Sequence, residues 1–148
     1  MDQVMWRAPV LALNEAGVHD PANPLASPCV AIQFSFGLDI AQRGASEGAA
    51  MALIDTGADL CVIDRSLVPP HAQLQQSMPF ISIEGLGVTS VYLVELLLRG
   101  TGKSFVTQIV AAEASQGRAH QMILGRNLLR EFRFEFDRHD GIRWIDVF

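Results

Sequence analysis

The alternation in CVAIQFSFGL, residues Cys29–Leu38, limits most tightly what this chain can fold into. Val30, Ile32, Phe34, Phe36 and Leu38 fall on one side of an extended backbone, and Ala31, Gln33, Ser35 and Gly37 on the other. A period of two marks a half-buried strand, because a helix would scatter the same residues around its axis. The rest of the chain repeats the signal. AAMALID and LCVID are short apolar runs on either side of a Thr-Gly turn. VYLVELLLRG (Val91–Gly100) and SFVTQIVAA (Ser104–Ala112) read as strands joined by the turn GTGK. RFEFD and IRWIDVF flank RHDG and read as a terminal hairpin.

Helical signal is sparse. The best candidate is GRNLLREF (Gly125–Phe132), where Leu128, Leu129 and Phe132 make one apolar patch. AQRGASEG (Ala41–Gly48) reads as a turn or loop. The proline-rich stretch Asn14–Pro28 and the Pro69–Pro70 break also read as loops. Many short strands, frequent turns and one short helix predict a mainly β fold, a small closed or sandwiched domain. With 148 residues, the chain has room for one domain with a real core.

Charge and cysteine content exclude several functions. A net charge of −5 and the lack of any basic run argue against a nucleic-acid partner. Glu95 interrupts the most apolar stretch, which is far short of the roughly 20 residues of a membrane-spanning helix. MDQVMWRAPV lacks the basic start and apolar centre of a signal peptide. The chain as given therefore reads as soluble and cytosolic; a soluble domain of a longer precursor or membrane protein is the alternative. Cys29 and Cys61 sit in apolar strand patterns and read as buried free thiols. His19, His71, His120 and His139 are scattered without zinc-ligand spacing and read as exposed or loop residues. GTGKS (Gly100–Ser104) lacks the spacing of a phosphate loop and reads as a hairpin turn. Trp6 and Trp144 read as core or interface anchors.

The stretch MALIDTGADLCVID (Met51–Asp64) places a carboxylate, Asp55, at the end of an apolar run. A buried carboxylate costs several kcal/mol unless it is paired, hydrogen-bonded or protonated. Thr56 supplies a hydroxyl, and Gly57 lets backbone amides approach the acid. Taken alone, Asp-Thr-Gly is equally an Asx-type turn between two strands. Its setting is more telling, with apolar residues before it, Ala58 and Asp59 after it, and another apolar strand beyond.

ALIDTGADLCVID resembles the active-site segment of the retroviral-type aspartic proteases, the retropepsins. Further along, MILGRNLL (Met122–Leu129) is similar to that family's short helix and its lead-in. The resemblance runs from about Cys29 to Phe136 and divides the chain into an N-terminal strand and extended loop (1–28) and a protease domain (29–148). It implies a closed β-barrel of the acid-protease type with one short C-terminal helix, working as a homodimer. Each copy would contribute one Asp55, with Thr56 and Gly57 completing the catalytic turn and Thr56 bracing the two acid loops across the dimer. It also implies that Ala58 and Asp59 contact substrate and that Asp59 and Arg126 form a partly buried structural ion pair. A flap hairpin is expected in ISIEGLGVTSVYL (Ile81–Leu93), with Gly85, Leu86 and Gly87 near its tip and against substrate.

Two departures qualify these expectations. Leu60 stands where many retroviral members carry a further acid, so the nearby subsites are expected to be apolar. Val88 follows Gly87 where another glycine is expected, and plain β-turn geometry is the alternative for the flap. The terminal strands are expected to pair at the dimer interface, as in the family. No metal or organic cofactor is implied. The expected activity is an aspartic endopeptidase acting on a peptide or protein substrate. A non-catalytic dimerisation or peptide-binding module that keeps the fold is the rival reading, because fold does not guarantee activity.

Overall fold

A computed structural model describes residues 3–82, 85–113, 119–137 and 141–148. In chain order its elements are β1 (Trp6–Pro9), β2 (Leu11–Leu13), β3 (Ser27–Ser35), α1 (Ile40–Arg43), β4 (Gly48–Ile54) and β5 (Cys61–Asp64). There follow β6 (Gln73–Ser82), β7 (Gly85–Leu98), β8 (Ser104–Ala112), β9 (Met122–Leu124), α2 (Arg126–Leu129), β10 (Phe136–Asp137), β11 (Gly141–Ile142) and β12 (Trp144–Val147). Strands β3, β4, β9, β5, β8 and β7 pair in that order, and β7 returns to β3 from Ile32↔Leu98 to Ser35↔Glu95. The sheet therefore closes into a six-stranded barrel, with β2 and β6 as outer additions. Closure removes the open edges that a flat sheet would leave.

The alternation at Cys29–Leu38 becomes one wall of the core: Val30, Ile32 and Phe34 are buried, and Ala31 and Gln33 are half-buried. Ile54, Ile63, Leu96, Leu98, Ile109, Met122 and Leu124 fill the barrel from the other strands. Cys29 and Cys61 are buried and free. His120 is buried rather than exposed, at 6% accessibility. Among the described residues no helix is long and apolar enough to cross a membrane.

Two local expectations need correction, and a third gains a partner strand. The loop at Ala41–Gly48 contains the end of a helical turn, α1, which Gly44 closes in the left-handed conformation (φ 65°). Its first free N–H groups are held from elsewhere in the chain: the Glu95 carboxylate on β7 accepts from Ile40 N (2.7 Å) and Ala41 N (2.9 Å). The terminal hairpin forms as expected, pairing Phe136↔Ile142 and Asp137↔Gly141 with a further bridge at Arg133↔Asp146, while residues 138–140 of its connection lie outside the described residues. The other edge of β12 pairs with β1, from Trp6↔Val147 to Pro9↔Trp144. The helix at Gly125–Phe132 is one turn long, and Phe132 beyond it packs edge-on against Phe105 at 5.1 Å.

One feature of the topology positions the candidate site. Strand β9 lies between β4 and β5, parallel to β4 (Ile54↔Leu124) and antiparallel to β5 (Val62↔Ile123). The residues that follow β9 therefore emerge beside the end of β4 and the start of β5, where Asp55–Leu60 form the connecting loop.

Candidate active site

The loop after β4 is built around Asp55. Its backbone N–H donates to the Leu124 carbonyl (3.1 Å), its own carbonyl accepts from Ala58 N (3.2 Å), and its carboxylate Oδ1 accepts from Gly57 N (2.9 Å). The side chain is thus held by its own turn. A Cβ added at Gly57 would come within 3.2 Å of that same oxygen, so glycine keeps the approach open. Asp55 and Ala58 are partly exposed, and Thr56, Gly57 and Asp59 are exposed.

The start of α2 grips the far side of the loop. Arg126 N donates to the Ala58 carbonyl (2.9 Å) and Asn127 N to the Asp59 carbonyl (3.2 Å). Gly125 makes the fit possible, because a Cβ there would overlap the backbone carbonyl of Leu60 and lie 3.0 Å from that of Ala58. The Arg126 guanidinium pairs with the Asp59 carboxylate, with the two side chains 60% and 81% exposed. The pair lies on the surface of the single chain and is not partly buried within it.

Asn127, which sequence reasoning passed over, links three elements. Its Oδ1 accepts from Cys61 N (2.9 Å), while its Nδ2 donates to Thr107 Oγ1 (3.0 Å) and to the Gln108 carbonyl (2.9 Å). One amide thereby ties α2 to the start of β5 and to β8. The signal was an amide beside Leu128 and Leu129 on a mostly buried turn, where a polar group needs partners. Cys61 is no nucleophile in this setting: burial pushes its thiol up to about 11, against weaker opposing hydrogen bonds from Gly125 and Leu128.

The hairpin of β6 and β7 is a separate element, joined to the loop through β7, β8 and β5. Its pairing runs from Gln73↔Leu93 to Ser82↔Gly85, with a bulge between Leu74 and Gln76. Barrel pairing of β7 with β8 ends at Val91↔Val110, so the rungs from Ser77↔Ser90 outward project beyond the barrel. Thr89 anchors the base, its buried hydroxyl donating to the Ala111 carbonyl at 2.5 Å. Gly85, Leu86 and Gly87 open the return strand opposite Ser82, Ile81 and Phe80. Residues 83–84 and the side-chain surroundings of residues 80–87 lie outside the described residues.

The structure thus gathers Asp55, Thr56, Gly57, Ala58 and Asp59 in one loop, with Arg126 on the helical turn hydrogen-bonded to it. Among the described residues no group of three or more His, Cys, Asp or Glu side chains is placed to hold a metal ion. A family model described as retroviral aspartyl protease matches residues 24–137. A comparison with curated proteins returns no match.

Proposed function

The chain belongs to the retroviral aspartyl protease family, and from that premise we propose that it is an aspartic endopeptidase whose active site is completed by a second copy. The observation that carries this reading is the Asp55 loop. A carboxylate at the end of a half-buried strand is fixed by the Gly57 N–H and left partly exposed, beside the exposed Thr56 in a loop whose Asp59 pairs with Arg126. One acid held this way lacks the second carboxylate that a dyad requires, and an Asp55 from a twin loop would supply it.

Two carboxylates about 3 Å apart cannot both ionise, so the pair shares one proton and titrates as a unit. The ionised member takes a proton from a water between them as that water attacks the scissile carbonyl. The protonated member donates to the carbonyl oxygen. The carboxyl that took the water's proton then gives it to the departing nitrogen as the C–N bond breaks, the other recovers its proton from the collapsing hydroxyl, and no covalent enzyme intermediate forms. Thr56 braces one acid loop against the other, and Ala58 and Asp59 line the substrate path. The hairpin carrying Gly85, Leu86 and Gly87 covers an extended peptide, whose backbone pairs with it as an added strand. With Leu60 following Asp59, apolar side chains are favoured in the adjacent pockets.

Asp55→Asn tests the reading. Incubation with a peptide library at mildly acidic to neutral pH should give cuts that a pepstatin-type inhibitor blocks, and the variant should be inert with an unchanged circular dichroism spectrum. A cleanly purified variant that still cuts would remove Asp55 from the mechanism. Tight peptide binding without turnover by the native chain would identify a binding module instead.

A further inference from the structure

Both strands of the β1–β12 ribbon lie outside residues 24–137, the part matched to the family. The ribbon closes on itself within one chain. Its inner face is packed into the core, with Ala8 at 1% accessibility and Ile145 and Val147 at 0%. Its edges are engaged or blunted. Val10 N donates to the Arg143 carbonyl (2.8 Å), in register with the ladder, so residues 6, 8 and 10 turn their backbone groups toward β12. Arg7 and Pro9 turn theirs outward, and Pro9 has no N–H to offer a further strand. The other edge of β12 is already taken, because Arg133 and Asp146 exchange both backbone hydrogen bonds (3.2 and 2.9 Å). The buried Asp146 carboxylate then joins the layers: Arg7 Nε donates to it at 2.7 Å and Arg133 Nη2 at 3.1 Å.

We infer that the two chain ends are locked to each other within one copy, so that a second copy joins and leaves without any exchange of terminal strands. The inference rests on the two-copy reading of the site and deepens it. It makes the protomer a complete folded unit, so assembly of the Asp55 pair is governed by concentration or by bound peptide and is uncoupled from folding. It also departs from the expectation that the terminal strands build the dimer interface.

Pro9 and Trp144 provide the test. They face each other across the ribbon on its exposed side, at a non-hydrogen-bonded pair. Cα atoms at such a pair are about 4.5 Å apart, within disulfide range. The Pro9→Cys, Trp144→Cys double variant, oxidised at a concentration where the protein is dimeric, should run as a monomer on a non-reducing gel and keep its peptidase activity. A covalent dimer would show strands exchanged between copies and overturn the inference. Hydrogen exchange on the unmodified protein gives a second readout. The amides of Ala8, Ile145 and Val147 should be equally protected above and below the concentration at which the dimer forms, and loss of their protection on dilution would also overturn it. A protein that stays monomeric and inert at every concentration would refute the two-copy reading itself, a failure distinct from either of these.

Discussion

Replacing Asn127 by aspartate changes one NH2 group to an oxygen at nearly constant shape, and the structure dictates the consequence. The oxygen that accepts from Cys61 N at 2.9 Å survives. The Thr107 hydroxyl, at 3.0 Å, can rotate and become the donor. The Gln108 carbonyl, at 2.9 Å, has no proton to give and faces a lone pair instead. Losing one net hydrogen bond costs about 1 kcal/mol, and because the Gln108 contact is exposed, water can satisfy the carbonyl it leaves behind. Asn127→Asp should therefore destabilise by about 1 kcal/mol at neutral pH, equivalent to a fall of about 2–4 °C in Tm for a domain of this size. Asn127→Ala loses all three contacts and leaves the Cys61 N–H without this acceptor, so it should cost at least as much. The acidic variant has a further signature. When protonated, the new carboxyl can donate to Gln108, so its folded-state pKa lies above its unfolded one. Its deficit against the native chain should then shrink as pH falls through the carboxylate range. Urea midpoints with unchanged m-values, compared with the native chain at pH 7 and pH 4, report both effects. A variant within about 0.5 kcal/mol of the native chain at neutral pH, or a deficit that grows on acidification, would refute this account of the amide.

Glu95 gives a pH dependence of opposite sign. Burial pushes its carboxyl up, but hydrogen bonds from Ser104, Ala41 and Ile40 outweigh this and hold it below its ordinary value. A depressed folded pKa contributes stability above the unfolded value of about 4.3 that is lost as pH falls through the lower folded one. Glu95→Gln should therefore be less stable than the native chain by about 1–3 kcal/mol at pH 7, with the gap closing below about pH 4 in thermal melts. Gly125→Ala drives a methyl into the Leu60 carbonyl; a loss of about 1–3 kcal/mol by chemical denaturation, together with a drop in kcat, is expected. Arg126→Lys keeps the charge but loses the planar fork at Asp59. Because the pair is exposed in one chain, unfolding of the monomer should change by less than about 1 kcal/mol, while sedimentation should show weaker self-association.

Strand β8 spans Ser104–Ala112 in the structure, the same bounds that its apolar pattern suggested. Strand β3 buries Val30, Ile32 and Phe34 on the face predicted by alternation. The Asp-Thr-Gly turn follows β4 directly. These features were legible because strand period and turn chemistry are written within a few consecutive residues. The single turn of α1 was not legible, because its cap is a carboxylate 55 positions away. The role of Asn127 was equally hidden: one of its partners, Cys61, is 66 residues distant and is reached only because β9 inserts between β4 and β5.

The sequence by itself determined a mainly β chain with one acid-bearing turn and the motif pair by which its family is recognised. The tertiary structure decided what holds that turn, which helix grips it and where the chain ends go. Local periodicity selects a residue's face within a span of a few neighbours. Register selects its hydrogen-bond partner from the whole chain, and register is settled only when the barrel closes.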